Sequence, residues 1–199
     1  MADKRKRQNI VMGAPDVAAG AFELGIAATA KDQFPKTFAD KMEALKLKPG
    51  GYLSEDGVTK TVDISTEKVK SWNLETVVQL QTDYSVTLKL VGLEFLNPDM
   101  LKFALGDGNV EVANGKIRLV DNAAERPHRS MVFRINGGDG KKLLLFVPDA
   151  QVSALGDVQF VKSSVVRLDL TVEAFPVDGE NVVTIVEDSA IKVDTGSQG

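Results

Sequence analysis

The sequence predicts a mainly β fold, an antiparallel β-sandwich or barrel with one short flanking helix and extended arms, and three observations carry that prediction. Several stretches alternate apolar and polar residues with a period of two, which puts one side of a strand in a core and the other in water. Hairpin turn signals recur, chiefly Asn114-Gly115 and Gly137-Gly138-Asp139-Gly140. Clear helix start and stop signals occur together once, between Asn97 and Gly106.

Taken in order, residues 1–18 combine the basic cluster Lys4-Arg5-Lys6-Arg7 with small residues and no period, and read as an N-terminal arm. A single β domain is expected over 19–187, and 188–199 is polar and Gly/Ser-bearing, a flexible tail by composition. Ala21 to Ala28 suits a first strand through Phe22, Leu24 and Ile26. The connection 29–57 is long and charged; Thr37 to Leu47 within it suits a brief amphipathic helix through Phe38, Met42 and Leu45. A connection of that length in a compact domain is usually functional or disordered, and its large apolar residues pack either on their own domain or on a neighbour. Thr59 to Thr66 alternates Val62 and Ile64 with Thr61 and Asp63.

The stretch from Ser71 to Gly106 organises the rest. It reads as two long strands turning at Thr82-Asp83-Tyr84, with Val78 and Leu80 on the first falling on the same side as Tyr84, Val86, Leu88 and Leu90 on the second. Asn97 then caps a helix that has Pro98 at its first position, Asp99 in its first turn and Gly106 as a left-handed stop. Hairpins follow at 110–120 and 130–147, then a polar excursion from Pro148, a strand through Val166, Leu168, Leu170 and Val172, and a last strand over 181–187.

Composition limits the functions open to such a chain. Its 199 residues are enough for a sizeable core, and 43% hydrophobic with 26% charged content is that of an ordinary globular domain. No apolar run approaches membrane-spanning length and no secretory signal pattern opens the chain, so a cytoplasmic site of synthesis and no membrane partner are expected. A formal charge of −4 gives no bulk attraction for nucleic acid, and the lack of cysteine removes disulfides, thiol catalysis and thiolate metal sites. No cofactor is implied. The sole histidine, His128, lacks the partners of a triad or metal site and reads as a loop residue. The glycines at 137–140 make a turn rather than a phosphate cradle, because a strand-like run and no helix follows them. Asp107, Asn109 and Glu111 lack the remainder of a calcium loop. An enzyme is therefore not expected. Trp72 is either a buried anchor at a strand entrance or a stacking surface for a sugar or partner.

Gly51-Tyr52-Leu53-Ser54-Glu55-Asp56-Gly57-Val58, Trp72, the long hairpin into Leu93-Glu94-Phe95-Leu96-Asn97, the short helix, and Val147-Pro148-Asp149-Ala150 with Gly156-Asp157-Val158 together resemble the major tail proteins of long-tailed bacteriophages, over about residues 50–175. That resemblance implies a virion subunit of the tail tube, made in the host bacterial cytoplasm. It implies hexameric rings, stacked around a channel that DNA passes through without specific binding, and partners of the tape measure, tail terminator and baseplate kinds.

Within such a tube, Gln79, Gln81, Thr87 and Lys89, with Arg167, Asp169, Thr171 and Glu173, are expected on or near the channel side; outer solvent is the alternative surface for them. Phe38, Met42 and Leu45 and the basic residues Lys4, Arg5, Lys6 and Arg7 are expected to contact the adjacent ring. The competing readings are a carbohydrate-binding β-sandwich that stacks sugars on Tyr52, Trp72 and Tyr84, and a small hydrolase built on carboxylates.

Overall fold

The computed structural model describes residues 9–188, so the basic cluster Lys4 to Arg7 and nearly all of the C-terminal tail lie outside the described residues. Eleven strands and one α-helix follow in chain order: β1 Ala14–Pro15, β2 Phe22–Ile26, β3 Lys48–Pro49, β4 Leu53–Lys70, β5 Thr76–Gly92, α1 Pro98–Leu105, β6 Val110–Ala113, β7 Lys116–Leu119, β8 Arg129–Gly138, β9 Lys141–Leu155, β10 Leu168–Phe175 and β11 Val183–Glu187. Nine strands form one sheet in the order β3-β2-β8-β9-β10-β5-β4, with β1 added to β8 and β11 to β9, while β6 and β7 make a separate hairpin. The pairings are antiparallel throughout. The sheet curls without closing into a barrel. Leu53 to Val58 at one end come across from Phe133 to Ile135, leaving a groove of about 670 Å³ between them.

Two cores lie on the two faces of the central strands. Met131, Phe133, Leu145 and Val147 point into the core that α1 covers with Met100, Leu101, Phe103 and Leu105. The alternate residues Val132, Leu144 and Phe146 enter a second core with Phe34, Phe38 and Leu45 from the connection. Because β8 and β9 are covered on both sides, their sequences Met131-Val132-Phe133 and Leu143-Leu144-Leu145-Phe146-Val147 are continuously apolar, whereas β10, wet on one face, alternates strictly.

The connection is therefore ordered and docked on its own domain. It is not an amphipathic helix. Met42 and Lys46 take positive φ values of 46° and 50° around the single 3-10 turn Glu43–Leu45, which breaks the helical period read from the sequence. The Arg134 guanidinium, buried beneath it, donates to the Asp40 carbonyl at 2.9 Å and to the Phe38 carbonyl at 3.4 Å and pairs with Glu23. On the far side the Phe38 N–H donates to Glu187 at 2.6 Å, and Lys31 pairs with Glu180. Burying Phe34, Phe38 and Leu45 is worth about 1.5–3 kcal/mol each, enough to fix a segment that has little regular backbone pairing of its own.

Other elements match the residues that predict them. Asn97 caps α1 by accepting from the Asp99 and Met100 amides at 3.1 and 3.3 Å, and Gly106 ends it at φ 107°, ψ 143°, a positive φ but not the left-handed helical stop expected. Asn114-Gly115 and Asp139-Gly140 both have positive φ at their two turn positions, as tight hairpins require. Three further expectations fail. Pro148 opens no excursion, since β9 runs on to Leu155 and its second half pairs with β10. The strand expected through Val166 begins only at Leu168. The turn placed at Thr82-Asp83-Tyr84 is absent, and β5 passes straight through it.

Candidate functional site

What replaces that turn is a long ribbon. β4 and β5 pair from Val58 with Leu90 down to Lys70 with Thr76, and the chain reverses at Ser71 to Glu75, where Leu74 takes the strained φ of 64°. On its other side β5 meets β10 only over Thr87 to Gly92. Beyond Thr87 the ribbon leaves the sheet as two strands alone, for about 11 residues or ~35 Å. Among the described residues, the outer edge of β4 and the β5 edge from Thr76 to Val86 have no strand beside them. Trp72, far from anchoring a strand entrance in the core, is fully exposed at the tip (100%) with exposed Leu74 beside it.

The register holds a feature that the sequence conceals. Ser65 pairs with Asp83 but Thr66 pairs with Gln81, so Thr82 is an extra residue, a β-bulge, in β5. A one-residue slip moves every side chain beyond it to the opposite face. Above the bulge one face carries Val62, Ile64, Tyr84 and Val86; below it the same face carries Thr66, Lys68, Gln79 and Gln81, with Gln79 donating to Thr66 at 3.1 Å. The other face is polar above, with Thr61, Asp63, Ser85 and Thr87, and carries Val69, Val78 and Leu80 below, with Glu67 opposite Leu80. Val78 and Leu80 thus lie opposite Val86 and Leu88, not beside them as the alternation suggests.

The expected channel residues are divided by the same bulge. Thr87, Lys89, Asp169, Thr171 and Glu173 share one polar sheet face, because Thr87 pairs with Glu173, Lys89 with Thr171 and Val91 with Asp169, while the intervening Leu88, Leu90, Leu170 and Val172 are buried behind them. Arg167 stands exposed just before β10, 3.6 Å from Asp169. On this face the three acids Asp63, Asp169 and Glu173 stand against Lys89 and the rim residue Arg167, an excess of one negative charge. Gln79 and Gln81 lie on the ribbon's other side.

Of the residues expected at a ring contact, Phe38 and Leu45 are buried in their own chain and Met42 is half-buried against the same core. The exposed charged neighbours of these residues are Lys36, Lys41, Glu43 and Lys46. Nearby, Asp16 just after β1 is buried against Lys142, whose ammonium also sits 5.0 Å over the Phe38 ring. The Lys142 hydrogen bond, helped by the Ala19 amide, holds the Asp16 carboxyl below its ordinary pKa against the opposing effect of burial. Burial lowers the Arg134 pKa.

His128 binds Asp149 at 2.7 Å and lies against Phe175, a structural arrangement. Among the described residues no three metal-ligating side chains meet. Tyr52 precedes β4, Tyr84 pairs with Ile64 along it and Trp72 follows its far end, so the three aromatics proposed for sugar stacking are spread along an 18-residue strand. Trp72, weighed in the sequence as an anchor or a stacking surface, is exposed, and the exposed apolar residues around it on the ribbon, Val69, Leu74 and Val77 among them, are the functional candidates missed in the sequence. Ser71 and Asn73, turn-forming residues at the point of reversal, were the available signal.

The family model for phage tail tube proteins matches residues 19–195. Among curated proteins none matches the chain. Two solved structures are similar over most of their length: the cap of the anti-feeding prophage, a tube terminating cap, at 9% identity with a TM-score of 0.42, covering 94% of this chain and 100% of that one, and the sheath-tube complex of an extracellular contractile injection system in its extended state, at 10% identity with a TM-score of 0.43, covering 87% and 92%. Likenesses of that size carry no weight for function. The family match spans nearly the whole described fold, including the projecting ribbon and the polar sheet face, and on it the chain belongs to the phage tail tube protein family.

Proposed function

We propose that copies of this chain close into hexameric rings and that the rings stack into a hollow tube conducting DNA. The observation that carries this reading is the β4–β5 ribbon, two strands that project from the sheet with unpaired edges and exposed apolar residues on both sides. A monomer cannot satisfy such edges, which template pairing with another chain, and closure into a ring removes them. Six copies per ring follows from the family resemblance.

In this reading the face of Thr87, Lys89, Asp169, Thr171 and Glu173, with Arg167 at its rim, lines the channel, and Gln79 and Gln81 lie behind it on the ribbon. A lining in which the acids, Asp63 included, offset the two cations gives no cluster of Lys and Arg to release counterions from DNA and hold it, which suits a polyanion that must slide. The connection contacts the adjacent ring through Met42 and the charged side chains around it, held from beneath by Phe38 and Leu45. The arm bearing Lys4 to Arg7 reaches toward the same neighbour. Tape measure, terminator and baseplate proteins complete the tail, and the subunit is made in the host bacterial cytoplasm.

Negative-stain electron microscopy of the purified, concentrated chain tests the proposal. Rings with a central hole, or hollow tubes, are expected. A chain that stays monomeric at every concentration would refute it.

A further inference from the structure

We infer that the groove left where the sheet fails to close is the docking site of the chain's own N-terminal arm. In the free subunit the segment bearing Lys4 to Arg7 folds back as an added strand between β1 and the start of β4, with its cations on Glu55, Asp56 and Glu94. This concerns the subunit before assembly, and so is independent of where the arm goes in a tube.

The argument starts from two strand edges on either side of that groove. Among the described residues β4 pairs only with β5 and β1 only with β8, so the outer edge of each has no strand beside it. Leu53 to Val58 form one wall of the groove of about 670 Å³, and Gly13, Pro15 and Val17 with Phe133 to Ile135 form the other. Unpaired backbone edges template a further strand, and one extended segment laid here pairs its backbone and closes the sheet. The wall from Leu53 to Val58 is ~20 Å long as a strand, which the eight residues before Asn9 are long enough to span.

The charge of the groove selects its occupant. Glu55, Asp56 and Glu94 line it, and among the described residues none of the three has a cation against it; Glu94 accepts from the Tyr52 amide and the Asn97 side chain. Arg134, the one cation among the described lining residues, is buried and taken by Glu23. Lys4, Arg5, Lys6 and Arg7 against Asp3 give residues 1–8 a formal charge of +3, so a total of −4 leaves −7 on the rest of the chain. Residues 188–199 carry Asp188 and Asp194 against Lys192, a charge of −1 and the wrong sign for this groove. Lys and Arg also suit walls of Pro15, Val17, Leu53 and Val58, because their aliphatic stems lie along apolar surface while the charged heads reach outward.

Connectivity favours the chain's own arm over that of another copy. From Gly13 back to Asn9 the chain continues along β8, with the Met12 amide donating to the Gly137 carbonyl at 2.9 Å. An arm that reverses before Asn9 returns antiparallel to β1, as the second strand of a hairpin does. Its tether is a few residues, which gives an effective concentration on the order of millimolar, far above that of a dilute subunit.

The chain has no cysteine, so introduced pairs report position cleanly. In the dilute, monomeric full-length chain, Lys4→Cys is combined with Tyr52→Cys at the groove or with Glu111→Cys on the β6–β7 hairpin outside it, and treated with a short bis-maleimide. Internal cross-links, read by mass spectrometry after proteolysis, are expected at roughly tenfold higher yield in the groove pair. Equal yields in the two pairs, or dimers from a mixture of the single variants in place of internal links, overturn the inference. Hydrogen exchange of the Leu53 to Val58 amides gives a second reading. Replacing Lys4, Arg5, Lys6 and Arg7 together by Gln is expected to speed it roughly tenfold while Leu143 to Val147 in β9 stay unchanged. E55K with D56K has the same effect, and joining them to K4E, R5E, K6E and R7E reverses it. Exchange that does not respond, or is not reversed, overturns the inference. Both readings are made on the free subunit, so their failure leaves the ring-and-tube reading standing, and a chain that forms no rings leaves this inference standing.

Discussion

Leu45→Ala separates a connection that belongs to its own domain from one that waits for a neighbour. Leu45 is fully buried, with Phe34, Phe38, Val132, Leu144 and Phe146 in the same core. Its truncation removes three carbons, a transfer loss of about 2.4 kcal/mol at ~0.8 kcal/mol for each. A cavity contribution adds to this, because β8 and β9 on one side are held by strand pairing and cannot collapse inward. The connection itself is irregular and can move part of the way, which keeps the total at about 3 kcal/mol, the low end for buried leucines. For a chain of this size that corresponds to a fall in melting temperature of about 6–12 °C. Urea denaturation and thermal melting of the variant in dilute, monomeric form provide the measurement. Met42→Ala, at a half-buried position, serves as the internal comparison and should cost about 1 kcal/mol. If Leu45→Ala left the monomer's stability within about 0.5 kcal/mol of the parent and yet abolished tubes, the burial argument would be wrong and the side chain would be serving a neighbouring subunit.

Trp72→Ala should leave monomer stability within about 0.5 kcal/mol, since the ring touches nothing in its own chain, while reducing tube number and length in electron micrographs. Gly50→Ala should destabilise the fold by about 1–3 kcal/mol in chemical denaturation, because an added Cβ would stand 2.2 Å from the Phe22 ring where β2 meets β3. Asp16→Asn should cost roughly 1.5 kcal/mol, the low end for hydrogen bonds to charged groups because Lys142 remains 39% exposed. The sign of its pH dependence follows from the lowered carboxyl pKa: the contribution is present above the unfolded value of about 3.9 and is lost as pH falls through the folded value. Denaturation curves of parent and variant should therefore differ at neutral pH and converge in acid below about pH 4.

Much of this fold can be read from local chemistry. Asn97-Pro98-Asp99 starts the helix, Asn114-Gly115 and Asp139-Gly140 close hairpins through positive φ, and the strict alternation of Leu168 to Phe175 places a half-wet strand, because each signal acts within a few residues of itself. The polar face of Thr87, Lys89, Thr171 and Glu173 was legible for the same reason, one strand at a time. What the chain could not state locally is which strand lies opposite which. The slip at Thr82 depends on pairing with Ser65 and Thr66, so the alternation of β5 alone put Val78 and Leu80 on the wrong side and suggested a turn where the ribbon is only bulged. Phe38 and Leu45 likewise announced that they needed burial but not by what, since their core is built from strands about a hundred residues further along the chain. Sequence determined the helix, the tight hairpin turns and the strands whose alternation is unbroken. Tertiary structure decided the register and the neighbours, because both are set by contacts between residues far apart in the chain, whose energies no single segment contains.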